Sequence, residues 1–162
     1  MDDYLTLALT LSRREFEARC PHPLLLAANE LVLYGEGEAE EATSSYRGEA
    51  PPATRPVTDR PPIYAVKKVH PLIPHGIVVG RIASCDIVIA DRNVSKAHAL
   101  IQAGGGGWRI SDMGSRNGTH VNSVRLEPKG AAVKVAFGDI VNFAYRTFYF
   151  LEAGPAWDRL RG

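Results

Sequence analysis

Three side chains in the middle of the sequence carry groups that bind anionic oxygen atoms. Arg81, which directly follows Gly80, has a planar guanidinium that can donate paired hydrogen bonds to phosphate oxygens. Ser95 supplies a short hydroxyl donor, and the adjacent Lys96 supplies a compact positive charge. A phosphate ester carries nearly two negative charges and three strong acceptor oxygens, so these residue types are suited to holding one.

A second polar segment follows at residues 115–119, with the sequence Ser-Arg-Asn-Gly-Thr. Asn117 and Gly118 both tolerate positive φ, which makes this pair a strong turn signal. The segment is therefore predicted to be a second loop, and Arg116 adds a cation to it.

A catalytic interpretation of the same region is weaker. Ser95, His98 and Asp112 have the residue types of a Ser-His-Asp catalytic set. No G-x-S-x-G nucleophile elbow surrounds the serine, so we expect a protein without enzymatic activity. Asp86 and Asp112 are expected to brace turns or loops and not to bind a metal, and no cofactor is predicted.

The elements that must position these residues are short strands. Residues 63–152 contain many short apolar runs without a long helical period, and turn clusters such as residues 104–107 separate the runs. This pattern predicts an all-β domain, a sandwich or a barrel. The runs are IYAVKKV, GIVVGR, DIVIA, AHALIQA, WRISDM, THVN, AVKVAF and DIVNFAYRTFYFLE.

Residues 1–34 are predicted to be a small N-terminal element of uncertain fold. The alternation of leucines over residues 4–11 is typical of a strand. Ser12 and Glu15 form a capping-box pattern, which predicts a short helix after it. Residues 24–33 fit either helix or strand. The element is too small for a core of its own, so we expect it to pack on the main domain or on a partner.

Two further segments complete the predicted organisation. Residues 35–62 are rich in acidic residues, glycine, serine and proline, a composition that predicts a flexible linker. Thr43, Thr54 and Thr58 lie in this linker and are candidate phosphorylation sites. Residues 153–162 are predicted to be a frayed C-terminal tail.

The motifs, in their order and spacing, resemble the forkhead-associated (FHA) domain family. The resemblance extends over residues 63–152 and implies a β-sandwich of two antiparallel sheets with recognition loops at one end, in agreement with the strand pattern. The matching positions are Gly80, Arg81, Asp86, Ile87, Ser95, Lys96, His98, Ala99, Asp112 and residues 115–119.

The resemblance also implies a site for phosphothreonine. The implied phosphate contacts are Arg81, Ser95 and Lys96; the implied contacts to the peptide are Ser115, Arg116, Asn117 and Thr119; the implied structural supports are Gly80, His98, Asp112 and Gly118. The family often has arginine at the position of Lys96, and lysine keeps the charge but lacks the planar fork.

The function implied by the resemblance is phosphothreonine-dependent protein–protein interaction in signal transduction. The partner would be a protein or peptide phosphorylated by an upstream Ser/Thr kinase, and a phosphorylated threonine of the linker is a possible intramolecular ligand. The alternative is a structural assembly protein that binds its partners independently of phosphate, through residues 1–34 or another face of the sandwich.

Composition limits the other classes of function. The net charge of +1 is divided between residues 1–60, at −5, and residues 61–162, at +6. A pI near 7.8 without a Lys/Arg-rich tract argues against nucleic-acid binding. No apolar run has the length of a membrane-spanning helix. Cys20 and Cys85 are far apart in sequence, which favours free thiols in a reducing cytoplasm.

Overall fold

The computed structural model describes residues 3–28, 62–71 and 73–162. Strands in these residues form a six-stranded and a five-stranded sheet, which confirms the predicted all-β sandwich. All strand pairs are antiparallel except β3 and β4, which run parallel. The predicted linker, apart from residue 62, and its three threonines at 43, 54 and 58 lie outside the described residues.

The helices and strands have the following bounds. The helices are α1 Tyr4–Thr10, α2 Arg13–Arg19 and α3 Ala153–Arg161. The strands are β1 Leu24–Ala27, β2 Ile63–Ala65, β3 Ile77–Gly80, β4 Ile87–Val88, β5 Ala99–Gly104, β6 Gly107–Asp112, β7 Thr119–Val121, β8 Val124–Arg125, β9 Val133–Val135, β10 Ile140–Phe143 and β11 Arg146–Leu151. The strand order is β2-β1-β11-β10-β7-β8 in one sheet and β4-β3-β5-β6-β9 in the other.

The main core lies between the two sheets. Alternate residues of β11, Phe148 and Phe150, are almost fully buried, as the two-residue period of a strand requires. They pack in one cluster with Phe143 of β10 and with aliphatic residues of the opposite sheet, among them Val79 and Ile101. Burial of such side chains stabilises the fold by about 1.5–3 kcal/mol each before entropy costs. This core holds rigid the strand ends from which the loops leave.

Strand β1 belongs to the sandwich, which corrects the predicted domain boundary at residue 63. It lies between β2 and β11, and Leu25 pairs with both Tyr64 and Phe150. Leu25 points into the main core, whereas its neighbours Leu24 and Leu26 point to the other face of the sheet. Burial on both faces explains why this segment is continuously apolar and gives no alternating strand signal.

A small helical layer covers that other face. The capping box at Ser12 and Glu15 is present and begins α2, as predicted. Residues 4–11 are helical, however, and the strand prediction for them is wrong. Asp3 caps α1 by accepting a hydrogen bond from the Thr6 N–H. The residues that pack inward are 4, 7, 8 and 11, which is a helical spacing.

The C-terminal residues are also ordered, which corrects the predicted frayed tail. Helix α3 packs against α1 and α2, and Ala153 and Ala156 are buried there. The Trp157 indole N–H donates to the Leu11 carbonyl at 3.1 Å, and Arg13 forms an ion pair with Asp158 at 3.2 Å. The N-terminal element therefore packs on the main domain. None of the helices in the described residues is long and apolar enough to cross a membrane.

Candidate functional site

Hydrogen bonds hold three loops together at one edge of the sandwich. Loop A joins β3 to β4 (residues 81–86), loop B joins β4 to β5 (residues 89–98), and loop C joins β6 to β7 (residues 113–118). The predicted phosphate and peptide contacts lie on these loops, except for the residue at 119, which begins β7. Strands distant in sequence therefore bring together most of the candidates that the sequence separates.

Arg81 is anchored to loop B through both its backbone and its side chain. Its N–H donates to the Ser95 carbonyl at 3.0 Å, and its Nε donates to the Val94 carbonyl at 3.1 Å. The side chain is nevertheless exposed. Its guanidinium is thus held at the backbone of Val94, the residue before Ser95, and the side chain is open to solvent, an arrangement that suits recognition of an anion.

The Ser95 hydroxyl connects loops B and C. Its oxygen accepts a hydrogen bond from the Arg116 backbone N–H at 2.9 Å. With one lone pair engaged in this way, the hydroxyl hydrogen remains for an incoming acceptor. Ser95 is half-buried, whereas Lys96 and Arg116 are exposed. Two residues with exposed cationic side chains therefore adjoin Ser95, one next to it in the sequence and one through a backbone hydrogen bond.

Gly80 allows loop A and loop B to approach closely. A Cβ at this position would lie 2.2 Å from the Lys96 carbonyl oxygen and 2.7 Å from the Cys85 sulfur. Cys85 in turn donates to the same Lys96 carbonyl at 3.1 Å. As predicted, the backbone requires glycine at position 80. The absence of a side chain there leaves room for the backbone carbonyl of Lys96.

His98 ties loop B to loop C from below. Its Nδ1 accepts a hydrogen bond from the Ser95 N–H at 3.0 Å, and its Nε2 lies 2.9 Å from the Gly118 carbonyl oxygen. This pair of partners defines a neutral ring that carries its proton on Nε2. Burial lowers the pKa of His98 and outweighs the opposing effects of the Gly118 carbonyl and Asp112. The ring is fully buried and joins two loops, in agreement with its predicted role as a scaffold residue.

Asp112 organises loop C from its start. Its carboxylate accepts hydrogen bonds from the backbone N–H groups of Gly114 and Ser115 and from the hydroxyls of Ser115 and Thr119. Burial alone would raise the pKa of Asp112, but these hydrogen bonds together lower it below the usual value. The ionised carboxylate is therefore the acceptor around which the loop folds.

Ser115 and Thr119 lie inside this network, which corrects their predicted role as peptide contacts. Ser115 is buried; its hydroxyl donates to Asp112 and accepts from the Gly118 N–H at 3.0 Å. Thr119 is fully buried, and its hydroxyl donates to Asp112 at 2.7 Å. Both hydroxyls form hydrogen bonds within the Asp112 network, so the two residues support loop C together with Asp112.

Comparison with known proteins agrees with this geometry. A sequence model of the FHA domain family matches residues 77–144, which contain all three loops. The FHA domain of an Arabidopsis thaliana protein, solved in solution, is 34% identical; the match covers 50% of this chain and 70% of that one, with a TM-score of 0.45.

The chain belongs to the FHA domain family.

Two relatives of this FHA domain are longer proteins, of which the match covers a small share. Human kanadaptin is 32% identical over 91 residues, which is 49% of this chain and 12% of kanadaptin. The structure of Mycobacterium tuberculosis EmbR in complex with a low-affinity phosphopeptide is 33% identical, covers 49% of this chain and 20% of that one, and has a TM-score of 0.44. The chain thus spans a minor part of the length of these relatives.

Asn117, in loop C of the FHA domain, is partly open to solvent. Its side-chain amide donates to the Asn93 carbonyl at 2.9 Å. The Asn93 N–H donates to Asp91, and Asp91 is ion-paired with Arg146 at 2.6 Å. The amide group is thereby held between loops B and C.

Asp91, Asn93 and Arg146 are supports that the sequence reasoning missed. Asp91 and Asn93 flank Arg92 in loop B, but Arg146 lies on β11, and the ion pair is a long-range contact. The alternation of Asp91 and Asn93 is a turn signal that could have identified the first two. No signal in the sequence indicated Arg146.

Asp86 fulfils its predicted role as a brace of the FHA sandwich. It accepts hydrogen bonds from the N–H groups of Val69, His70 and Val78 and forms an ion pair with Lys68 at 2.9 Å. Burial would raise its pKa, but these bonds lower it to about 2. In the part of the chain that the structure describes, no cluster of His, Cys, Asp or Glu is arranged to hold a metal ion.

Proposed function

We propose that this FHA domain is a phosphothreonine-dependent protein-interaction module. One observation carries the proposal: the exposed Arg81 guanidinium is anchored to the carbonyl of Val94, the residue before Ser95, and the Ser95 hydroxyl oxygen is engaged by the Arg116 N–H. A hydroxyl donor and a guanidinium at one spot match the acceptor oxygens and charge of a phosphate group.

The peptide around the phosphothreonine would be read by loop C. Asn117 is partly exposed and held by Asn93, so its remaining polar groups are available to a main chain lying across the loops. Arg116, exposed next to it, would contact a side chain of the peptide. Lys96 would contribute charge to the phosphate without a planar fork.

The complex formed by EmbR supports this proposal, since that relative was solved with a phosphopeptide. We further propose that a Ser/Thr kinase marks the partner and that the domain itself has no catalytic activity. His98 is buried with both ring nitrogens engaged by loop backbone, so it is not available as a general base. The two cysteines are free and buried, which fits a cytoplasmic location.

The proposed contacts would be strong enough for reversible signalling. Charge-assisted hydrogen bonds contribute roughly 1.5–3 kcal/mol each. Loss of two or three would remove most of the binding free energy of a micromolar complex, which is about −8 kcal/mol. The phosphate, and not the peptide alone, would therefore determine binding.

A screen against an oriented phosphothreonine peptide library tests the proposal. We expect enrichment of phosphorylated over unphosphorylated peptides, and loss of that enrichment in Arg81→Ala and Ser95→Ala. Both side chains reach the surface, so the variants should keep the thermal unfolding of the parent chain. Equal capture of phosphorylated and unphosphorylated peptides would refute phosphothreonine recognition.

Phosphorylation of the chain itself is a second part of the proposal. Thr43, Thr54 and Thr58 lie in an acidic segment of the sequence, on the same chain as the basic loops. A phosphate there would compete with partners at a high effective concentration. Treatment of the full chain with a Ser/Thr kinase should weaken phosphopeptide binding, and a triple Thr→Ala variant should resist the effect. Undiminished binding by the phosphorylated parent would refute intramolecular docking.

The alternative of a phosphate-independent assembly protein has less support. Residues 4–19 would be the natural assembly element, but their inward face is already covered by β1 and α3. Leu9 of α1 is 53% exposed, a single apolar residue and not a patch. The helical layer thus stabilises the domain itself.

A further inference from the structure

Arg125 of β8 lies against loop C, although it belongs to none of the three loops. A methyl group on the Cα of Gly118 would lie 3.0 Å from Arg125 Nε, 3.3 Å from Cζ and 3.4 Å from Nη2. Three atoms of the guanidinium at similar distances mean that its plane lies over this glycine. The cation is therefore next to Asn117, at the loop that the peptide is proposed to cross.

The backbone on both sides of this contact is fixed. Gly118 has φ +86°, and its N–H and carbonyl are held by Ser115 and His98. Arg125 pairs with His120 in the β7–β8 hairpin, and the next residue, Leu126, donates to the Thr119 carbonyl at 2.9 Å. Glycine at 118 gives the loop its conformation and also leaves the space that the arginine occupies.

The charge of Arg125 is available to a ligand. Its side chain is exposed, and among the described residues no carboxylate lies within ion-pair distance of it. Arg116, two residues before Gly118, is also exposed and free of such a partner within the same part of the chain. Arg13 and Arg146, by contrast, are paired with carboxylates of this chain. Two unneutralised arginines beside one loop attract an acidic group.

We propose that Arg125 is a specificity-determining residue that, together with Arg116, selects phosphopeptides carrying an aspartate or glutamate close to the phosphothreonine. This inference rests on the proposed function of the site. An arginine fork receives a carboxylate through two parallel hydrogen bonds, which gives the pair a defined geometry. Because both arginines are solvent-exposed, the acidic residue strengthens binding and is not essential for it.

A glutamate scan measures the preference. A phosphothreonine peptide with alanine at all flanking positions is compared with versions that carry one glutamate, moved through the positions on both sides. We expect glutamate at one position to strengthen binding to the parent chain by about two- to fivefold, the range of an exposed ion pair. Arg125→Gln should remove most of that gain and keep the dependence on phosphate.

A charge reversal separates specificity from structural support. In Arg125→Glu, glutamate at the selected position should weaken binding, and lysine at the same peptide position should restore it. Arg109→Gln is the matched control, because Arg109 is an exposed arginine of β6 away from loop C and its loss changes the net charge equally. This control should keep the glutamate preference.

The outcomes distinguish the two proposals. Binding without dependence on phosphate would overturn the proposed function. Phosphate-dependent binding with no glutamate preference at any position would overturn the role of Arg125 alone. The role of Arg125 would also be overturned if the Arg125→Gln variant kept the glutamate preference. The same holds if lysine in the peptide did not restore binding to the Arg125→Glu variant.

Discussion

At the scale of single residues, the hydrogen bond between loop B and His98 requires a neutral imidazole ring. Protonation of Nδ1 would place a hydrogen against the Ser95 N–H, which donates to that nitrogen. Loop B, which carries the hydroxyl proposed to bind phosphate, would then lose this attachment. Burial of the ring lowers its pKa and so disfavours this protonated state near neutral pH.

The pH dependence of stability follows from that shift. Since the folded-state pKa of His98 is below the unfolded value near 6.5, the unfolded chain binds the extra proton first. The free energy of unfolding should therefore fall as the pH drops below about 6.5, and be constant with respect to this group above it. Urea titrations at pH 7.5 and 5.5 measure the difference. The carboxylates with lowered pKa values, Asp86 and Asp112, do not titrate in this window.

A His98→Gln variant identifies the group responsible. It should be less stable than the parent at pH 7.5 and show a smaller loss between pH 7.5 and 5.5. An unchanged pH dependence in the variant would assign the effect to another group.

Gly80 gives a second prediction at this scale. Alanine there would force its Cβ into the Lys96 carbonyl, so Gly80→Ala should destabilise the fold by about 1–3 kcal/mol, as overpacking does. Gly107→Ala is the control, because the nearest atom to a Cβ at that position is 3.8 Å away. Urea unfolding of both variants checks the prediction, and equal stabilities would contradict it.

Residue types identified the surface of the site better than its interior. Arg81 and Ser95 are recognisable because their chemistry matches a ligand. Ser115 and Thr119 have equally polar side chains, but their hydroxyls face Asp112, and burial is decided by packing that a local pattern does not contain. Arg125 escaped notice because a lone arginine after Val124 has no motif; only the approach of the hairpin to Gly118 gives it meaning.

At the scale of elements, the start of β11 supports loops B and C. Arg146 at the start of β11 reaches Asp91 in loop B, which holds Asn93, whose carbonyl positions Asn117. In the sequence, Asn117 and Arg146 are separated by the four strands β7 to β10. The ion pair thus transfers the rigidity of the sheet to the loop residue proposed to hold the peptide.

Removal of the ion pair should affect binding more than stability. Because the arginine is 43% exposed, Arg146→Gln should destabilise the fold by less than about 1 kcal/mol. Phosphopeptide affinity should weaken by up to about fivefold, since Asn117 is less well fixed. Calorimetry and thermal unfolding compare it with Arg109→Gln, which should change neither. A variant with parental affinity would show that the turn does not position the loop.

Elements were predictable where local signals and packing agree. The capping box at Ser12 predicted α2, and the short strands of the sandwich appear as expected. Helix α1 was mistaken for a strand because its leucines alternate, although its inward face follows the helical spacing set by contact with α3. The C-terminal helix was missed because glycine and proline, at positions 154 and 155, follow its first residue, and because its partners lie at the other end of the chain.

For the whole molecule, the structure makes residues 3–28 part of the domain. Strand β1 completes the sheet between β2 and β11, and the fully buried Leu24 and Leu25 serve the helical layer and the main core, respectively. A family match limited to residues 77–144 leaves out these contributions. The sequence alone did not reveal them, because the pairing spans the acidic segment.

A truncated chain tests this wider domain. We expect that the fragment of residues 62–162 does not form a cooperatively folded domain at 25 °C. Removal of β1 exposes the edge of β11 and opens both apolar clusters. Thermal unfolding followed by circular dichroism, together with NMR spectra of the backbone amides, compares the folding of this fragment with that of the full chain. A fragment that melts like the parent would mean that β1 and the helical layer are dispensable.

Calorimetric titration of the full chain with one library-selected peptide, in its phosphothreonine, phosphoserine and unphosphorylated forms, tests phosphothreonine recognition most directly. We predict micromolar binding of the phosphothreonine form and a loss of at least about tenfold without the phosphate, since each charge-assisted hydrogen bond contributes at least about 1.5 kcal/mol. The Arg81→Ala variant should bind all three forms equally weakly. Equal affinity of the parent chain for the phosphorylated and unphosphorylated peptides would contradict the account.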